Sequence, residues 1–179
     1  MANKIQAIAV ICAGQQGRKI ACAALRAGYR TILEDASENR LQQAVDWIVK
    51  VDADSRSRLV LASTVEEAVR EADLIIEAVA EEMEMKIEMF TIFDKFAKPG
   101  AVFASSSPSL SIAELAAATF CPERCIGMRF VSGPPADTTL ELVCTPQTSE
   151  ETVARCRAVG RRMGKEVTVV PEREFTESR

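Results

Sequence analysis

The stretch I-Q-A-I-A-V-I-C-A-G-Q-Q-G-R-K-I-A-C-A-A-L-R-A-G-Y-R-T-I-L-E-D, Ile5 to Asp35, decides the fold. An apolar run of strand length, Ile5 to Cys12, breaks at a glycine-rich turn. A helical pattern follows from Gln16 to Ala27, with Ile20, Ala23, Ala24 and Ala27 on one face, and Gly28 stops it. Arg30 to Glu34 reads as a second strand, with Asp35 at its end. Strand, helix and strand in so short a span make a βαβ crossover, which joins parallel strands.

The turn itself, C-A-G-Q-Q-G at 12–17, fills the six positions of the dinucleotide fingerprint G-x-G-x-x-G. Gly14 lets the backbone approach a pyrophosphate, and Gly17 lets the helix pack closely on the strand. Ala13, Gln15 and Gln16 lie between and beside them, and the helix start aims its free N–H groups at the phosphate. Cys12 stands where the first glycine is expected, and its Cβ crowds the turn. Asp35, 21 residues after Gly14, has about the spacing of the acidic residue that accepts from the adenosine ribose. Glu34 adds a second negative charge, so NAD is expected to bind better than its 2′-phosphorylated analogue. Two plainer readings stay open at this point: an ordinary βα turn that needs glycine, and an Asp35 that only begins the turn before Ser37.

The alternation continues. Ser37 caps a helix to about Val51, and Arg58–Leu61, Asp73–Val79, Ala101–Ala104, Cys125–Val131, Leu140–Cys144 and Glu166–Val170 read as strands. Helices are expected over Thr64–Glu71, Glu82 to about Phe96, Ser111–Ala118 and Ser149 to about Met163. The fold class is therefore α/β: a doubly wound, mainly parallel sheet of the Rossmann type, covered on both faces. One domain is expected over 3–170, followed by a polar, frayed tail over 171–179.

Composition narrows the function. The chain has 179 residues and a formal net charge of −4, and no arginine- or lysine-rich block offers the footprint of a nucleic-acid partner. No apolar run approaches the ~20 residues needed to cross a bilayer. Met1-Ala2-Asn3-Lys4 leads into a strand without a signal-peptide pattern, so a cytoplasmic location and no membrane partner are expected. The six cysteines, at 12, 22, 121, 125, 144 and 156, read as reduced thiols that fill the core, and no metal site is expected. Histidine is absent altogether, which excludes it as a base, a metal ligand or a pH switch.

Beyond these general features the chain resembles the NAD-binding domain of the 3-hydroxyacyl-CoA dehydrogenases. The segments that carry the resemblance are A-G-x-x-G at 13–17, A-G-Y-R-T-I-L-E-D at 27–35 and A-D-L-I-I-E-A-V-A-E at 72–81. Others are A-S-S-S-P-S-L-S-I-A-E-L-A-A-A-T at 104–119, P-E-R-C-I-G-M-R-F at 122–130 and L-E-L-V at 140–143. The resemblance implies NAD as cofactor, an acyl-CoA-like ligand and a place in fatty acid metabolism. It places Glu81 and Lys86 at the nicotinamide half of the cofactor, with Ala78, Val79 and Ser106 in the same cofactor-binding set.

The departures fall on the chemistry. Where the family reads G-M-H-F-F-N-P, this chain has G-M-R-F-V-S-G at 127–133, so Arg129 occupies the catalytic histidine position and Ser132 the asparagine. Glu141, twelve residues after Arg129, matches the glutamate that orients the histidine and is retained without its partner. A guanidinium stays protonated in proteins and cannot serve as a base. An ion pair with Glu141 is the expected role of Arg129; the other is an anchor for an anion. The family's S-N-T-S-S-L is S-S-S-P-S-L at 105–110, which puts Ser106 at the asparagine and Pro108 at the substrate-binding serine. The family's helical hairpin before the strand at Arg58 is replaced by a short connection over 52–57, and the sequence stops at Arg179, before the all-helical C-terminal domain of the family. These features favour an NAD-binding protein without dehydrogenase activity. The alternatives are an active oxidoreductase on a hydroxyacyl-CoA or other hydroxy acid, and one half of a split enzyme. Phe130, Val131, Pro134 and Pro135 would face the missing domain, so a homodimer or a helical partner chain is expected on that side.

Overall fold

The computed structural model describes residues 4–131 and 138–172. Their strands form one eight-stranded sheet in the order β3-β2-β1-β4-β5-β6-β7-β8. The strands are β1 (Ala7–Ile11), β2 (Arg30–Glu34), β3 (Leu59–Ala62), β4 (Leu74–Glu77), β5 (Val102–Ser105), β6 (Cys125–Phe130), β7 (Thr139–Cys144) and β8 (Glu166–Pro171). The first six are parallel; β7 runs antiparallel to β6, and β8 runs parallel to β7. The helices are α1 (Gln15–Arg26), α2 (Glu38–Val51), α3 (Val65–Val69), α4 (Met83–Phe96), α5 (Ile112–Ala117) and α6 (Glu150–Arg162).

Local chemistry explains where these elements begin. Ser37, Thr64, Ser111 and Ser149 each accept from a backbone N–H three residues on, and so cap α2, α3, α5 and α6. Gly14 opens α1 with no side-chain cap and no acidic residue in the first turn. The expected connection over 52–57 is a single 3₁₀ segment, Ala53–Arg58, whose Ser55 is buried and bonds Asp52.

The central strands are buried along their whole length because helices cover both faces. Ile8, Val10, Leu33 and Ile76 pack with Ile20, Leu25 and Ile48 on one side. Ala9, Ile11, Ile75 and Phe103 pack with Phe90, Phe93 and Leu115 on the other. Phe90, Phe93 and Phe103 touch in tilted and edge-on pairs 5.5–6.3 Å apart. β8 runs one residue past the expected end, to Pro171, and Glu172 then accepts from the backbone N–H groups of Ile112 and Ala113 at the start of α5. Of the tail expected over 171–179, residues 173–179 lie outside the described residues. The neighbours β1 and β4 lead outward in opposite directions, so a crevice opens at their carboxyl ends, the place where such sheets bind ligands.

Candidate functional site

The turn at the end of β1 is shaped around backbone approach. Cys12 adopts φ +81° and is the single non-glycine residue with a positive φ among the described residues. Its position thus demands the left-handed conformation that favours glycine. Gly17 is the steric centre of the turn: a Cβ there would lie 1.8 Å from the Cys12 carbonyl oxygen. Gly14 has ordinary room, with the Cys12 sulfur 3.6 Å from such a Cβ. The geometry fits a dinucleotide phosphate: a glycine cradle that a side chain would fill faces an uncapped helix N-terminus.

Asp35 fastens the turn to β2. Its Oδ2 accepts from Ala13 N at 3.0 Å, and its Oδ1 accepts from Ser37 N at 2.9 Å and from the Arg40 guanidinium at 2.9–3.0 Å. The reading that Asp35 begins the turn before Ser37 is therefore part of the arrangement. Glu34 does not act as a simple second negative charge. Burial, and then the neighbouring Asp35 carboxylate, push its pKa up to about 7.

Beyond the turn, a cleft of about 550 Å³ runs from Gln16 past Ala78 and Val79 to Ser106, Pro108, Arg129 and Glu141. Glu81 and Lys86 line it too, and Lys86 is buried. It is 1 % exposed, and its Nζ donates to both Glu77 carboxylate oxygens at 2.9 Å and to the Val79 carbonyl at 3.3 Å. Glu81 lies 3.4 Å from the same Nζ. Glu77, fully buried at the end of β4, also accepts from Ser105 Oγ and from Val79 N. Glu81 in turn accepts from Ser107 Oγ and Ser109 Oγ. Partial burial would raise the Glu81 carboxyl, but the Ser107 bond and the Lys86 charge outweigh it and hold it below its usual range. Glu77, Ser105 and Ser107 form the frame of this network and were not among the residues read from sequence. One signal was present: a carboxylate closing the otherwise apolar run L-I-I-E, with a lysine nine residues on.

Arg129 and Glu141 sit directly opposite each other on β6 and β7. The expected ion pair between them is not formed within 4.0 Å; instead Arg129 Nε donates to the Ser107 carbonyl at 3.1 Å. The serine-loop carbonyl on the β5 side draws the guanidinium away from its cross-strand neighbour, and Glu141 is left lining the cleft as a separate carboxylate. Val131 is 37 % exposed and Phe130 half-buried at the cleft's rim. Ser132, Pro134 and Pro135 lie outside the described residues. Cys121 and Cys125 are buried, with Cys121 Sγ on Asp94 at 3.3 Å. Among the described residues no helix is long and apolar enough to cross a membrane.

Comparison with known proteins agrees with this geometry. The family model described as "3-hydroxyacyl-CoA dehydrogenase, NAD binding domain" matches residues 7–173. A probable 3-hydroxybutyryl-CoA dehydrogenase of Bacillus subtilis is 34% identical over 186 residues, covering 96% of this chain and 64% of its own length. The 3-hydroxybutyryl-CoA dehydrogenase of Bradyrhizobium diazoefficiens is also 34% identical, and the match covers 94% of this chain and 62% of that protein. This chain thus spans a little under two thirds of these curated relatives. Among solved structures, FadB2 of M. tuberculosis superposes with a TM-score of 0.87 at 30% identity, over 96% of this chain and 65% of that one. The (S)-3-hydroxybutyryl-CoA dehydrogenase of Ralstonia eutropha gives 0.88 at 26% identity, over 95% and 65%. A fingerprint turn on a buried parallel sheet, a matching family model over nearly the whole chain and these neighbours agree: the chain belongs to the 3-hydroxyacyl-CoA dehydrogenase family, as its NAD-binding domain.

Proposed function

We propose that this chain binds NAD or NADH in the cleft and does not catalyse 3-hydroxyacyl-CoA oxidation. The observation that carries the reading is Arg129, a permanent cation, at the position where the family has its base. Ala13 to Gly17 would hold the pyrophosphate, with Gln15 and Gln16 presenting the first N–H groups of α1, and Asp35 would accept from the ribose. Ala78, Val79, Glu81, Lys86 and Ser106 would line the nicotinamide half. The bound cofactor would supply the redox chemistry; the side chains would have to orient an alcohol and take its proton. Arg129 cannot take one. Pro108 offers neither hydroxyl nor N–H to a substrate oxygen. Glu81 is held ionised by its serine and lysine partners.

The test is NADH absorbance with saturating 3-hydroxybutyryl-CoA and NAD. The expected result is no turnover above background, since loss of a positioned base alone costs ~10²–10⁴ in rate. Turnover near the ~1–10³ s⁻¹ of ordinary enzymes would overturn the reading. One observation favours a second reading: Glu141 lines the cleft without an Arg129 ion pair. A carboxylate so placed is a candidate base for an oxidoreductase acting on another hydroxy acid. Glu141→Gln abolishing turnover of such a substrate would establish that reading in place of the first.

A further inference from the structure

The adenosine end of the site differs from the arrangement that excludes a 2′-phosphate. In such folds an acidic residue at this place bonds the ribose 2′-hydroxyl, and an arginine nearby accommodates a 2′-phosphate. Here the Asp35 side chain is 2% exposed and fixed from three sides, by Ala13 N, Ser37 N and Arg40. Arg40 Nε and one terminal nitrogen both rest on Asp35 Oδ1, at 3.0 and 2.9 Å. A guanidinium has five N–H donors in a rigid fork. Its two nitrogens on Asp35 leave further N–H donors on the fork, and the side chain is 58% exposed, so those donors are open to solvent next to the Asp35 carboxylate.

We propose that Arg40 sets the dinucleotide specificity of this chain, admitting a phosphate on the adenosine 2′ position alongside the unphosphorylated form. The proposal rests on the reading that the cleft binds NAD or NADH. A 2′-phosphate on a ribose seated at Asp35 meets an arginine within reach of the same carboxylate, and planar guanidinium groups bind phosphate oxygens in pairs. Glu34 on β2, Glu66 on α3 and Glu38 in the first turn of α2 are further acidic groups at this end. Glu34 is buried, and its raised pKa removes part of its charge near neutrality, which lowers the repulsion further. The acidic pair read from sequence thus presents less negative charge than two free carboxylates.

Isothermal titration of the full chain with NADH and with NADPH, at one ionic strength, tests this. The expected result is NADPH binding within about tenfold of NADH, with Arg40→Ala shifting the ratio at least about tenfold towards NADH. Arg40→Gln keeps a donor for Asp35 but removes the charge, and it should shift the ratio the same way. That variant carries the test if Arg40→Ala disturbs α2. NADH binding with NADPH more than about tenfold weaker, or a ratio unmoved in both variants, overturns the proposal. Binding of neither nucleotide overturns the cofactor reading itself, and this proposal with it.

Discussion

Cys12 holds a backbone conformation that costs an L-residue roughly 1–2 kcal/mol. Glycine there would relieve this, against ~0.5–1 kcal/mol of extra unfolded-state entropy. Cys12→Gly is therefore expected to stabilise the chain by about 0.5–1 kcal/mol in urea melts, and to tighten NADH binding by opening the turn. The opposite holds for Glu77. Its carboxylate is the main partner of a lysine that is 1 % exposed. Glu77→Ala leaves that charge buried and underpaired, and a loss of ~3–5 kcal/mol is expected by the same measurement. If the pair acts as argued, adding Lys86→Met to Glu77→Ala should recover much of the loss, whereas independent contributions would add. Glu34 titrates near neutrality in the fold, with a pKa of about 7 against the 4.5 of a free side chain. The native state then holds more protons than the unfolded chain between those values. The Glu34 contribution to stability is present in full below the unfolded value and falls as pH rises through about 7. Urea midpoints from pH 5 to 8 should show a downward slope that Glu34→Gln flattens.

At the scale of elements, Gly17 decides how β1 and α1 meet. A methyl group there would overlap the Cys12 carbonyl, and neither backbone can yield without moving the helix off the sheet. Gly17→Ala is expected to lower the urea midpoint and abolish NADH binding in titration, whereas Gly14→Ala, whose methyl group meets only the Cys12 sulfur at van der Waals distance, should leave the urea midpoint nearly unchanged and weaken NADH binding by crowding the pyrophosphate. The elements themselves were legible because their signals are local: serine and threonine caps, apolar runs, and a glycine or proline between them. Strand ends moved by only one or two residues, as at β1, where the left-handed Cys12 ends the ladder at Ile11. The frame of the site was less legible. Whether Lys86 points outward or into the sheet depends on Glu77 and Ser105, which other strands bring to it. The Arg129–Glu141 contact failed for a similar reason: register put the two residues opposite each other, but a third element, the serine loop, supplied the nearer acceptor. Arg40 was passed over because an arginine early in a helix looks like solvated surface until Asp35 is seen beneath it.

For the whole molecule, a ligand that binds only the folded state adds RT ln(1 + [L]/Kd), about 2.7 kcal/mol at a hundredfold excess over Kd. A domain of this size gains ~2–4 °C per kcal/mol, so saturating NADH should raise the melting temperature by roughly 5–11 °C. The rise should vanish in Gly17→Ala. An unchanged melting temperature in the parent chain, together with a flat titration, would count against cofactor binding.

The sheet also has two rims. β8 ends the strand order on one side, and among the described residues no strand pairs with its outer edge. Much of it faces solvent, with Val169 39% exposed in the run E-V-T-V-V-P. Such a rim, β-branched and nearly uncharged, is a template on which a second chain can add its own strand. Pro171 closes the run and removes a donor from it. The consequence is colloidal: at high concentration, precipitation should begin at this rim. A lysine in place of exposed Thr168 should delay the onset of turbidity without changing the urea midpoint.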